Sequence, residues 1–77
     1  MAKVTIYSTP SCVYCKLAKD FFNEHSVAYT EFNVADDHDA RAEMVEKSGQ
    51  MGVPVIFIDD DMTIGFDEEK IRNLLTL

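Results

Sequence analysis

The sequence predicts an α/β domain, a four-stranded mixed sheet flanked by three helices in the order β-α-β-α-β-β-α. Three observations carry this expectation. The apolar period changes from two to helical spacing after Tyr7 and changes again near Val27. Residues 53–58 (VPVIFI) form a continuous apolar run, as in a strand buried on both faces. Turn-forming and acidic residues punctuate the segments between. At 77 residues the chain is expected to be one domain over residues 1–77, burying about 60% of the surface it exposes when unfolded.

Residues 3–7 alternate polar and apolar, with Val4 and Ile6 on one face, and read as the first strand before Ser8, Thr9 and Pro10 stop it. Val13, Leu17, Ala18, Phe21 and Phe22 then fall on a helical stripe. Ser11 is the expected N-cap and Cys12 the first helical residue. Residues 27–34 favour a second strand. Residues 35–39 (ADDHD) form an acid-rich helix start suited to the positive end of the helix dipole, and Ala40, Met44 and Val45 supply the apolar stripe. Lys47 in the last turn and Gly49 beyond it mark the end.

After the apolar run, Asp59, Asp60 and Asp61 are expected to turn the chain into a strand over residues 62–65. Asp67 then caps a last helix, with Phe66 stapled onto Ile71, and with Ile71, Leu74 and Leu75 facing inward. A right-handed crossover makes the first two strands parallel neighbours, and the short turn makes the last two an antiparallel hairpin.

Seven basic against fourteen acidic residues give a net charge of −7, which argues against nucleic acid or an anionic membrane as partner. No apolar run has the length of a signal peptide core or a membrane span, so the expected location is cytoplasmic and the expected state a monomer.

Both cysteines lie in Ser11-Cys12-Val13-Tyr14-Cys15-Lys16, at a strand-to-helix junction. A bridge across two intervening residues constrains almost nothing in the unfolded chain, so the pair is a poor structural staple. In a reducing compartment a close pair reads as redox-active or metal-binding. The thiolate is the reactive form, and a helix N-terminus favours negative charge. Cys12 is therefore the expected nucleophile, forming a mixed disulfide with a substrate, and Cys15 the resolving thiol one turn on. Lys16 and Lys19 are expected beside the thiols. Three rival readings are weaker. Two small buried hydrophobes would not need to be the only cysteine pair behind a Pro-Ser helix start. Zinc would have to recruit His25 and His38 from separate segments. The three aspartates lack the glycine and glutamate offsets of a calcium loop.

With residues 7–19 (YSTPSCVYCKLAK), 52–58 (GVPVIFI) and 64–67 (IGFD) in this order, the chain resembles the glutaredoxins over nearly its full length. It is most like short bacterial glutaredoxin-like proteins and the redoxins that reduce ribonucleotide reductase. Copper metallochaperones also place Cys-x-x-Cys after a first strand. They have methionine where this chain has Pro10, and their elements run in a different order.

The resemblance implies a thioredoxin fold in which Pro54 follows a cis peptide facing the dithiol, and Val53 offers its backbone to substrate. It implies no bound cofactor, with glutathione as co-substrate and disulfide-containing proteins as partners. Gly65, Phe66, Asp67 and Glu68 match the turn that receives the γ-glutamyl end, with Phe66 in place of a second glycine and either acid available. Gln50 matches a residue that reaches the glycine carboxylate, and Tyr14 an aromatic that packs on the bound thiol. Val13 replaces the usual proline of the motif, and Gly52 the commoner threonine. The function so implied is thiol-disulfide oxidation and reduction with glutathione. The alternatives are a carrier fed by thioredoxin reductase and, from another class, a metal-binding domain.

Overall fold

The computed structural model describes residues 3–77, so the first two residues of the expected domain lie outside the described residues. Its elements are β1 (Val4–Ser8), α1 (Val13–Glu24), β2 (Thr30–Asn33), α2 (His38–Ser48), β3 (Val55–Ile58), β4 (Asp61–Ile64) and α3 (Glu68–Leu75). They follow the order read from the sequence.

The sheet runs β2-β1-β3-β4. The β1–β2 pair is parallel, with Ile6 opposite Glu31, and the β1–β3 and β3–β4 pairs are antiparallel. Alternation along the strands divides the core in two. Val4 and Ile6 of β1 join Ile56 and Ile58 of β3 against Ala18, Phe21 and Phe22 of α1 and Ile71 of α3. Tyr7 and Val55 face the other way, toward Ala40 and Met44 of α2. The helices thus cover both faces, α1 and α3 on one and α2 on the other. β1 ends where β3 begins, side by side at the sheet's centre, so the loops after β1 and before β3 can face one another.

Several boundaries differ from the expectation. Ser8, expected to stop β1, is its last residue and pairs with Asn33 of β2, and Gly65, expected in β4, lies in the turn beyond it. Cys12, not Ser11, caps α1: its φ of −85° and ψ of 115° are extended, and Sγ accepts the Cys15 N–H at 3.2 Å. Ser11 is one residue too early for its hydroxyl to take that role. β2 starts at Thr30 because Ser26, at φ 57°, closes the end of α1 and the Val27 N–H donates to the Phe22 carbonyl. Val27 and Tyr29 therefore enter the core from a loop. β3 starts at Val55, since Val53 and Pro54 belong to the preceding loop and proline has no N–H for a ladder. The acidic turn needs only Asp59 and Asp60: Asp59 sits at φ 54°, a region aspartate tolerates, and Asp61 already pairs with Ile58.

The expected C-terminal end of α2 holds, but its start falls inside the 35–39 stretch, since residues 35–36 form a turn. Asp37 caps it by accepting the Ala40 N–H at 3.0 Å, and Gly49 closes it at φ 73°. Asp67 caps α3 as expected.

Candidate active site

The strand-to-helix turn after β1 places the two sulfurs in unequal surroundings. Cys12 is half-buried and Cys15 wholly buried, and both are free thiols. Cys15 projects inward because it lies on the α1 stripe that continues through Ala18 and Phe22, all fully buried. Burial above all, with the hydrogen-bonded Cys12 sulfur next, pushes the Cys15 thiol up to about 12, while the Thr9 backbone and the Lys19 charge pull weakly the other way. Cys12 stands at the N-terminus of α1, where unpaired N–H groups converge. The two thiols therefore differ in access and in ease of ionisation, with Cys15 the buried one.

Facing the dithiol is the loop before β3. The Val53–Pro54 peptide is cis, as the resemblance implies. Cys12 Sγ donates to the Val53 carbonyl across 3.8 Å, and Pro54 is buried beside it. The Pro54 carbonyl accepts the Gly65 N–H at 2.8 Å, which fastens the turn before α3 to this loop. Gly65, at φ 79°, takes a left-handed conformation that suits glycine. Val53 is thus brought to Cys12, and Gly65 to Pro54 beside it.

Side chains in these segments do not all point where the resemblance placed them. The Phe66 ring packs edge-on to Phe21 at 5.8 Å and joins the core with Ile71. It acts as the helix staple. Asp67 Oδ1 accepts the Lys70 N–H at 3.2 Å, and Glu68 lies 3.5 Å from Arg72 Nε. Gln50 turns back on its own loop: Oε1 accepts the Gly52 N–H at 2.6 Å, and Nε2 donates to the Gly52 carbonyl at 2.9 Å. Lys16 is exposed on the first turn of α1. Lys19 is not free beside the sulfurs, because Nζ donates to Glu31 at 2.8 Å.

One interaction linking α1 to the sheet went unread in the sequence. Glu31 on β2 accepts from Lys19 and, at 2.7 Å, from the buried Ser8 hydroxyl. The Lys19 ammonium first, and Ser8 next, hold the Glu31 carboxyl below the usual range. The signal was present in the four-residue spacing of Cys15 and Lys19, which puts both on one helix face, together with an acid on a strand parallel to β1. Val13 and Tyr14, which follow Cys12, are 69% and 62% exposed, and Met51, in the loop before β3, is 60% exposed. His25 packs on Phe21 and His38 opens α2. Among the described residues no three His, Cys, Asp or Glu side chains group as metal ligands, and no helix is long and apolar enough to cross a membrane.

Comparison with known proteins agrees with this geometry. The Glutaredoxin family model matches residues 4–63. A glutaredoxin-like 8.6 kDa protein of the Clostridium pasteurianum rubredoxin operon is 42% identical over 72 residues, which cover 94% of this chain and 96% of that one. Among solved structures, a mutant of the thioredoxin-like protein BC3987 superposes with a TM-score of 0.91 at 34% identity, covering 99% of this chain and 97% of that one. The glutaredoxin-like NrdH-redoxin of Escherichia coli, whose thioredoxin-like activity profile was the subject of its structure, gives 0.82 at 28% identity, covering 94% and 93%. The family match spans both cysteines and the Val53–Pro54 loop, and the superpositions extend it along the sheet; the chain belongs to the glutaredoxin family, has its thioredoxin fold, and is a thiol-disulfide oxidoreductase.

Proposed function

We propose that the chain reduces disulfides carried by other proteins, with Cys12 as nucleophile and Cys15 as resolving thiol. The observation that carries this reading is the contrast between a half-buried Cys12 against the Val53 carbonyl and a fully buried, protonated Cys15. The Cys12 thiolate attacks one sulfur of the substrate disulfide, forming a Cys12–substrate bond and releasing the other sulfur as a thiolate. Cys15 then loses its proton and attacks Cys12 Sγ, which forms the Cys12–Cys15 disulfide and releases the second substrate thiolate. Two electrons leave the protein, and the two expelled thiolates take up protons. A donor returns the two electrons.

For that donor we favour a flavin-linked reductase acting directly on the Cys12–Cys15 disulfide. Support comes from the exposed apolar side chains of Val13, Tyr14 and Met51, which suit a protein surface, and from the likeness to a glutaredoxin-like redoxin with a thioredoxin-like activity profile. Glutathione is the second reading, favoured by the family itself and by the backbone groups of Val53 and Gly65. A close dithiol of this kind belongs in a reducing compartment, so the cytoplasm is the proposed location, and the chain is taken to work as a single-domain monomer.

Paired assays separate the two donors. NADPH oxidation with thioredoxin reductase and an insulin-type protein disulfide supports the first, and a requirement for glutathione with glutathione reductase supports the second. Cys12→Ser should abolish turnover in either assay, while Cys15→Ser should accumulate the mixed disulfide. Full turnover by Cys12→Ser would refute the mechanism.

A further inference from the structure

β4 forms one edge of the sheet, and its register shows which backbone groups are left over. In an antiparallel pair, facing residues alternate between exchanging both hydrogen bonds and exchanging none. The Gly65 N–H donates to Pro54, so that pair is bonded, and Ile56–Thr63 is the next bonded pair along the ladder. Met62 and Ile64 fall between, opposite Phe57 and Val55, and turn their N–H and C=O groups away from β3 toward the open edge. The Met62 carbonyl is taken by a side chain: Lys70 Nζ, on the first turn of α3, donates to it at 3.0 Å. The Lys70 ammonium makes no ion pair among the described residues. Beside it Ile64 is 52% exposed. The outward groups are self-complementary. Two copies of β4 laid antiparallel about Thr63 set Met62 of one opposite Ile64 of the other, and every outward N–H and C=O of the two residues then has a partner. Met62 and Ile64 share a face of the strand, so the exposed isoleucine meets the facing methionine. The same register sets Asp61 opposite Gly65, so no acid faces an acid. The strand's own residues do not oppose this pairing; the Lys70 ammonium does.

We propose that Lys70 guards the β4 edge against pairing with β4 of a second copy of this chain. Its ammonium occupies the acceptor that the other copy's Ile64 N–H would need, and it puts a charge in the path of the incoming strand. The guarded edge runs into Gly65, whose N–H holds the carbonyl of Pro54 in the loop facing the dithiol. An unguarded edge would therefore seat a second copy next to that loop. Lys70 takes no part in the sulfur chemistry.

Lys70→Ala removes the guard and leaves the backbone N–H that Asp67 caps in place. Sedimentation equilibrium in about 0.15 M salt, over concentrations up to about 1 mM, measures the outcome. Each copy gives up one exposed hydrogen bond, worth about three- to tenfold in an equilibrium constant, so the dimerisation constant should rise about 10- to 100-fold. The substitution makes an acidic chain more acidic, so weaker charge repulsion cannot produce the gain. Lys70→Arg keeps a donor and should behave as the wild type. Adding Ile64→Pro to Lys70→Ala should abolish the gain, because it deletes an outward N–H and none that bonds to β3. Amide hydrogen exchange reads the same edge independently: the Ile64 N–H should exchange freely in the wild type and become protected in concentrated Lys70→Ala. The proposal is overturned if Lys70→Ala associates no more than the wild type, if Lys70→Arg gains as much, or if the gain survives Ile64→Pro. A wild-type Ile64 amide already protected in dilute solution would overturn it as well.

Discussion

The N–H of Gly65 donates to the carbonyl of Pro54 at 2.8 Å, extending the β3–β4 pairing by one bond and joining the turn before α3 to the loop opposite Cys12. Two stretches eleven residues apart in sequence thereby form a single wall. The bond needs the Gly65 backbone at φ 79°, where a side chain would meet no atom within 4 Å. Gly65→Ala should consequently cost about 1–2 kcal/mol through backbone conformation alone, read as a lower denaturation midpoint with an unchanged slope. A variant as stable as the wild type would show that this conformation is not required.

Burial of Cys15 ties stability to pH. Its folded value, pushed up to about 12, lies above that of an unfolded thiol, about 8.5. The stabilisation from keeping it neutral is complete below the unfolded value and is lost as pH rises toward the folded one. Thermal melts of the reduced protein should fall steadily between roughly pH 8.5 and pH 12, more steeply than those of Cys15→Ala. Parallel curves for the two proteins would remove this role from Cys15.

Glu31 joins β1, β2 and α1 through Ser8 and Lys19. Replacing it with alanine leaves the buried Ser8 hydroxyl without its acceptor, at a cost of about 1 kcal/mol; the half-exposed ion pair adds little to that. Because the carboxyl is held below its usual range, the stability it supplies is present above the ordinary glutamate value. That stability is lost as pH falls through the depressed one. The gap in stability between wild type and Glu31→Ala should therefore close in acid, and a gap that persisted or widened there would contradict the assignment.

Thr63 on β4 is buried, and its hydroxyl has no hydrogen-bond partner among the described residues. Thr63→Val keeps the shape and removes the unpaired group, so the variant should be more stable by about 1 kcal/mol. Chemical denaturation measures this directly. Destabilisation would mean that the hydroxyl is satisfied in solution.

The order of elements was legible because each segment announces its own period: two along β1, near 3.6 along α1, and continuous in the run around β3. The dithiol was legible in its own spacing, whereas Pro54 read alone is an ordinary strand-start proline and only the resemblance to the glutaredoxins set it opposite the dithiol. Side-chain direction was not legible. The inward direction of Phe66 is the exception, since the staple onto Ile71 was read from the sequence and the packing on Phe21 and Ile71 agrees with it. Ser11 is by type a better cap than cysteine, yet the geometry of the turn gives the role to Cys12. The turn of Gln50 back onto Gly52 left no trace in the pattern, since a contact between a side chain and the backbone two residues on has no periodicity to betray it.

Cys12 is both the cap of α1 and the atom that changes oxidation state. An anionic sulfur accepts the Cys15 N–H strongly, whereas a sulfur bound to another sulfur accepts it poorly. Each oxidation therefore loosens the first turn of α1, and each reduction tightens it. A cap worth about 1 kcal/mol stabilises only the reduced state, which raises the potential by about 20 mV. The Cys15 amide should accordingly exchange faster in the oxidised protein than in the reduced one, and equal rates would show that no such link exists. Helix order in α1 then serves as a small energy store, filled when electrons arrive and emptied when they leave.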